Sequence, residues 1–352
     1  MSAHRGETTP AAERGARRRR SSGRVTLQDV AQAAGVSPIT VSRALRGERA
    51  VAPDLVARVQ AAVDQLGYVP DPAARALASS RSSQVAVLIP LLSNALFVDL
   101  LDAVQRSLLS AGYQTLIGVT HYDPAEEEAL LRSYLLHRPA GLIVTGFDRS
   151  PAAAGLIASS AVPCVHVMET SQREGVYSVG FSQNAAGRAM SEALLARGRR
   201  RIAFAAAQLD PRTLQRAEGY RAALQAAGCY DPTLEFLDPA PSSLALGGAL
   251  LERVLAAAPE VDAIFFNNDD LAQGALLAAL RLGIKVPERL AVAGFNDLTG
   301  SDQMLPPLST VRTPRSEIGR EAAAMLLKLM RGESLAEPHR DLGFEVLMRG
   351  SC

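Results

Sequence analysis

The sequence predicts an α/β protein: a small all-α headpiece of helix-turn-helix form, followed by a two-lobed, doubly wound α/β core. Three observations carry that expectation. Between residues 25 and 66, apolar side chains recur at helical spacing and glycines punctuate the helix ends. From residue 85 onward, short apolar runs alternate with longer amphipathic stretches, the texture of repeated βα units. Charge is segregated within a chain of net charge +1: residues 1–81 hold 13 arginines against 7 acidic residues, and the remainder holds 24 basic against 29 acidic residues. A basic front end on a mildly acidic body suits a protein that touches nucleic acid with one part only.

Composition narrows the classes. A chain of 352 residues that is 48% hydrophobic can bury more than one core. Its three cysteines, Cys164, Cys229 and Cys352, are odd in number and far apart, which argues against a disulfide framework and fits a reducing cytoplasm. The five histidines (4, 121, 137, 166 and 339) show no metal spacing, and His166 sits within an apolar strand where a structural role is expected. No apolar run approaches ~20 residues, so no membrane span is expected. The arginine run 17–20 is followed by no apolar stretch, unlike a secretory signal. Gly-x-Ser-x-Gly, Gly-x-Gly-x-x-Gly and His-Glu-x-x-His are all absent. The expectation is a cytoplasmic protein that is not an enzyme, with no catalytic residue, metal or cofactor.

The elements follow in order. Residues 1–23 lack large apolar side chains and read as a disordered basic tail; the arginine run adds phosphate attraction or is simply a solvated tail. Residues 24–69 read as the DNA-binding domain. Leu27, Val30, Ala31 and Ala34 form the buried face of a first helix that Gly35 closes. Ser37 caps a second helix with Pro38 at its first position. On it Val41, Ala44 and Leu45 turn inward, leaving Ile39, Thr40, Ser42, Arg43 and Arg46 outward. Such a helix enters the major groove. Arg43 reads a guanine edge or holds a phosphate, Ile39 meets a thymine methyl, Pro38 offers shape, and Thr40 and Ser42 hold phosphates. Thr26 and Ser37 complete the set. A third helix, Pro53 to Leu66, closes the core with Leu55, Val56, Val59, Ala62, Val63 and Leu66, and Gly67 ends it. Residues 70–84 hold a short capped helix start, Asp71-Pro72, then a polar linker. A helix this short is marginal alone and can fold on DNA.

Seven main strands are expected in the core: 85–89, 115–119, 141–145, 164–168, 201–206, 262–266 and 290–295. Ligands in such sheets sit beyond the carboxyl ends of the strands, and two facing lobes make a cleft. The candidates are therefore Ser93, Asn94 and Phe97; His121 and Tyr122; Glu169; Asp210, Arg212 and Thr213; Asn267, Asn268, Asp269 and Asp270; and Asn296 and Asp297. This mix of hydroxyls, amides and carboxylates suits a polyhydroxylated ligand, and Arg212 can fork onto an acid group. With no tryptophan in the chain, ring stacking falls to Phe97 or Tyr122.

The stretches VTLQDVAQAAGVSPITVSRAL and AAVDQLGYVPDPAARALAS resemble the headpiece of the lactose-repressor family of bacterial transcription regulators, and the likeness runs to about Gly343. The resemblance implies that residues 70–84 are the hinge helix and linker. There Leu77, with Ala74 beside it, wedges a base step in the minor groove, or else caps the headpiece core. Asp71 stands where the family often has Asn. The resemblance also implies that residues 85–343 are an effector-binding and dimerisation domain on the two-lobed periplasmic sugar-binding fold. Its first lobe spans about 84–182 with a return segment near 314–343, and 344–352 form a tail. Family ligand positions fall on Asn268 or Asp269, on Asn296 (where many members have Asp), and on Arg212 or Arg216. GYQTLIG, LDPRT, NNDDLA, RLGIKVPERLAVAGF and TPRSEIGREAA resemble the gluconate-type repressors, implying a sugar-acid effector: gluconate, a ketogluconate or a phosphogluconate. The expected partners are double-stranded operator DNA, that effector and a second copy of the chain, with no membrane. The alternative is a cytoplasmic or exported sugar-binding protein with no regulatory role.

Overall fold

The computed structural model describes residues 25–45, 51–69 and 82–352. The chain divides into two compact units, one ending at Ala78 and the other starting at Ser79. The arginine run 17–20, the hinge helix and both of its assigned DNA contacts, Ala74 and Leu77, lie outside the described residues.

The first unit holds α1 (Leu27–Ala34), α2 (Pro38–Leu45) and α3 (Pro53–Leu66). A reciprocal capping box starts α1: the Thr26 hydroxyl accepts from the Asp29 amide, and the Asp29 carboxylate accepts from the Thr26 amide at 2.7 Å. Gly35 ends it in the left-handed region at φ 63°, and Arg58 of α3 donates to the free Ala34 carbonyl at 2.6 Å. Ser37 Oγ accepts from the Thr40 amide and caps α2. Val30, Ala31, Ala34, Val41, Ala44, Val59, Ala62 and Tyr68 form the buried cluster. Each buried valine contributes about 2 kcal/mol. Val56, expected in this core, is instead exposed: it lies three residues before Val59, on the rim of the α3 stripe.

The second unit starts with β1 (Gln84–Ile89), α4 (Ala95–Ser110), β2 (Gln114–Val119), α5 (Pro124–Leu136), β3 (Gly141–Thr145), α6 (Pro151–Ser159), β4 (Cys164–Val167) and β5 (Tyr177–Gly180). The chain then crosses to α7 (Gln183–Ala196), β6 (Ile202–Ala207), α8 (Pro211–Ala226), β7 (Glu235–Asp238), α9 (Leu244–Ala257), β8 (Ala263–Phe266), α10 (Asp269–Arg281), β9 (Ala291–Ala293) and β10 (Thr310–Arg312). It returns through α11 (Arg315–Met330) and β11 (His339–Asp341), and crosses again to β12 (Glu345–Leu347).

The first lobe is a parallel sheet in the order β11-β5-β4-β3-β1-β2, and the second a parallel sheet in the order β7-β6-β8-β9. Alternation within the apolar runs builds the layers. In β1, Val85, Val87 and Ile89 pack toward α4 and α11, while Ala86 and Leu88 pack toward α5 and α6. In β6, Ile202, Phe204 and Ala206 face α7 and α8, while Ala203, Ala205 and Ala207 face α9 and α10. Strands buried on both faces are what made these runs continuous in sequence.

The return segment expected near 314–343 is α11 with β11. The tail expected at 344–352 is not one. Its β12 pairs antiparallel with β10, and Ser351 Oγ accepts from the Ser309 amide and donates to the Val292 carbonyl, at 2.7 and 2.6 Å. Hydroxyl-to-backbone bonds dock this stretch, so no apolar run marked it. The strands β5, β7, β10, β11 and β12 were likewise missed, being three or four residues long and partly or wholly polar.

Candidate functional site: a cavity between two lobes and an exposed recognition helix

The carboxyl ends of the two sheets face a cavity with about 80 Å³ of water-accessible space. Twelve predicted residues line it: Ser93, Asn94, Phe97, Tyr122, Asp210, Arg212, Thr213, Arg216, Asn267, Asn268, Asp270 and Asn296. Met168, Gln208 and Ser242, which sequence reasoning did not single out, join them. Helix starts place many of these side chains. Asn94 caps α4 through the Leu96 amide, Asp210 caps α8 through the Arg212 and Thr213 amides, and Asn268 caps α10 through the Leu271 amide. Asn268 also donates to Ser242 Oγ at 2.6 Å. His121 is on the surface instead, paired with Glu126 at 2.7 Å.

The two buried arginines differ in their partners. Arg212 donates to Asp148 Oδ1 at 2.8 Å and to Glu169 Oε2 at 3.1 Å, with Asp210 at 3.2 Å. Burial opposes its charge, but Asp210, Asp148 and Glu169 outweigh burial and hold the guanidinium more firmly protonated than usual. Arg216 donates to Gln183 Oε1 at 2.8 Å and to the Asn267 carbonyl at 2.7 Å, and lies 3.9 Å over the Phe295 ring. No carboxylate is bonded to it among the described residues. Burial, with Arg212 nearby, lowers its pKa to about 10 against the pull of Asp210. Opposite, Asn296 is held at φ 107° and its buried Oδ1 has no hydrogen-bond partner. Burial raises the Tyr122 phenol, helped by Asp210.

Two assigned residues do not line the cavity. Asp269 turns away: its carboxylate accepts from Thr310 Oγ1, the Leu298 amide and Ser301 Oγ at 2.7–2.8 Å, tying α10 to the loop after β9. Burial raises its pKa to about 6 despite those bonds. Of the pair Asn268 or Asp269, the cavity therefore takes Asn268. Glu169 lies behind Arg212, where it also accepts from Gln215 at 2.8 Å. Asp148, on the loop after β3, is a residue of this cluster that sequence reasoning missed.

His166 is structural. Its ring stacks on Phe147 at 4.5 Å, with Nδ1 3.0 Å from the Gly146 carbonyl and Arg149 3.2 Å away. Arg149 is itself paired with the buried Glu127. Burial and then Arg149 lower the His166 pKa to about 4, from 6.5. The unfolded chain therefore takes up a proton that the folded chain refuses between pH 6.5 and 4. Stability is full above 6.5 and falls as pH drops through this window, by up to about 3 kcal/mol from this group. Replacing His166 by Gln is expected to flatten the unfolding midpoint over that range; an unchanged slope would reject this assignment.

On the headpiece, Ser37, Pro38, Ile39 and Arg43 are exposed, Ile39 to 65%, while Thr40 and Ser42 are half-buried. Thr26 is exposed and engaged in its cap. An isoleucine this exposed on a short helix is an uncovered apolar contact beside a guanidinium, as a base-reading helix requires.

Comparison with known proteins agrees with this architecture. Residues 26–71 match the model for bacterial regulatory proteins of the lacI family, and residues 191–352 match a periplasmic binding protein-like domain. The HTH-type transcriptional regulator GntR of Pseudomonas aeruginosa is 56% identical over 332 residues, 94% of this chain and 97% of its own. The crystal structure of the transcription regulator GntR from Chromobacterium violaceum superposes with a TM-score of 0.75 at 50% identity, covering 76% of this chain and 98% of that one. A LacI-family transcriptional regulator from Silicibacter pomeroyi superposes with a TM-score of 0.86 at 36% identity, covering 93% and 99%. A three-helix reader, a two-lobed core and relatives matched along almost their whole length leave one conclusion: the chain belongs to the lacI family of bacterial regulatory proteins, and it is a DNA-binding transcriptional regulator with an effector-binding core, not an enzyme.

Proposed function

We propose that the protein is a repressor whose operator affinity is set by a sugar acid, gluconate or a close derivative, bound between the lobes. The observation that carries this is Arg216, a buried cation facing the cavity with no carboxylate bonded to it among the described residues. Burying an unpaired charge is costly, and an anionic ligand removes the cost. Asn296, Asn94, Ser93 and Asn268 around it suit a polyol, and the unpartnered Asn296 Oδ1 can accept from a ligand hydroxyl. Among the arginines, Arg216 takes the acid group; Arg212 already has its counter-charges. We divide the chain into a basic tail (1–23), a reader (24–69), a hinge and linker (70–84) and a core continuing to Cys352. We place the protein in the cytoplasm, where its DNA is; among the described residues no helix is long and apolar enough to cross a membrane.

Two copies are expected to read a near-palindromic operator, one half-site each. Calorimetric titration with gluconate, ketogluconates and phosphogluconate, with and without promoter DNA, tests the reading. Binding of at least one acid that changes DNA affinity is expected; no binding by any of them would overturn it. At the DNA, Arg43 and Ile39 face bases, with Pro38 offering shape and Thr26, Ser37, Thr40 and Ser42 toward the backbone. Substituting Arg43 by Ala is expected to relax preference at one base pair per half-site, by about 1–3 kcal/mol. Fragments carrying single base changes measure it. A uniform loss on all sequences would make Arg43 a phosphate contact.

A further inference from the structure

Arg212 lies on α8, in the second lobe, and its two nearest carboxylate partners, Asp148 and Glu169, lie on first-lobe loops after β3 and β4. All three side chains are largely buried, Arg212 and Glu169 by more than nine-tenths. Gln215, nearly one turn along α8, reaches across to the other Glu169 oxygen at 2.8 Å. The guanidinium rests on the backbone of Gly146, which is held at φ 63°. A Cβ there would collide with Arg212 Nη1 and come within 2.6 Å of both Asp148 Oδ1 and Glu169 Oε2. The first-lobe loop is thus shaped to admit a second-lobe side chain.

We propose that Arg212 is the latch that holds the two lobes together before an effector enters, with Asp148 and Glu169 as its catch, and that it does not itself bind the effector's acid group. This rests on the reading that the effector enters between the lobes. The arrangement opens at modest cost. When the lobes part, Asp148 and Glu169 regain water and Arg212 keeps Asp210, 3.2 Å away in its own lobe. A buried pair whose partners resolvate on separation is worth little net, and a small gap between two states is what a ligand can shift. The latch therefore sets the open fraction of the empty core, and with it the apparent effector affinity and the entry rate.

The test uses the full-length, effector-free protein and the double variant Asp148→Asn with Glu169→Gln, which removes the cross-lobe charges while Arg212 keeps Asp210. Amide hydrogen exchange at 146–149 and 169–171 is expected to quicken about tenfold or more, with exchange in β8 unchanged. The radius of gyration from small-angle scattering should rise. Asp148→Glu, which keeps the charge, is expected to retain most of the parent's protection. Unchanged exchange at these loops in the double variant overturns the latch. Faster exchange in β8 to the same degree also overturns it, because the variant would then have loosened the fold and not the closure. If the parent fails to bind gluconate but the loops respond as stated, the latch stands and only the effector reading fails.

Discussion

Arg216→Gln is expected to weaken binding of the sugar acid by about a hundredfold or more, while the effector-free protein still binds its promoter fragment. The size follows from burial: removing one partner of a desolvated, hydrogen-bonded charge pair typically costs ~2–5 kcal/mol. Arg216 is fixed for that task by Gln183 Oε1, the Asn267 carbonyl and the Phe295 ring. Its pKa of about 10 keeps it charged at neutral pH, a buried charge with no carboxylate bonded to it among the described residues. That gives the variant a signature a merely structural residue would lack. Effector-free stability is expected to hold or rise, since an unpaired buried charge has been removed, while the thermal shift produced by gluconate disappears. Arg216→Lys should fall between, keeping charge but losing the planar fork. Undiminished gluconate affinity in Arg216→Gln would remove the basis for the proposed effector class.

The contrast between Arg212 and Arg216 also marks where the sequence stopped being informative. Arg212 could be named from its place after a strand, and Arg216, four residues on, only from the family resemblance. Which one was free could not, because Arg212 is neutralised by Asp148 and Glu169, 64 and 43 residues away in the chain. Long-range pairing of this kind leaves no local pattern. The three headpiece helices were legible because caps and periodicity are local: Thr26, Gly35, Ser37 and Gly67 mark the ends where the chain turns. The parallel strands were legible where both faces are apolar, as in β1 and β6, and illegible where the strand is short and acidic at its ends, as in β7, or a hydroxyl-docked segment such as β12. Asp269 was ambiguous for a related reason. A carboxylate at a helix start beside a cleft and one tied to a neighbouring loop have the same sequence signature; only the positions of Ser301 and Thr310 separate them.

Gly219→Ala is expected to destabilise the core by about 2 kcal/mol or more, against the usual sign for a helical glycine. In an exposed helix interior, alanine is favoured over glycine by about 1 kcal/mol. Here α7 and α8 cross in backbone contact. A Cβ on Gly219 would fall on the Asn184 carbonyl and within 2.6 Å of the Arg188 amide, and one on Gly187 would meet the Arg216 backbone. Neither neighbour is the end of a flexible side chain, so the helices themselves must separate. Arg216 sits one turn before Gly219, and its guanidinium is held by Gln183 at the start of α7. Separating the helices therefore moves the acid-binding group, and gluconate affinity should fall about tenfold along with stability. Gly155→Ala is the control: α6 leaves nothing within 4 Å of its Cβ, so this substitution should stabilise by about 0.5–1 kcal/mol and leave gluconate binding unchanged. Denaturant unfolding of both variants, with titrations alongside, measures the difference. If Gly219→Ala proved as stable as Gly155→Ala, the helices would not be in backbone contact in solution, and the placement of Arg216 by that contact would fail with it.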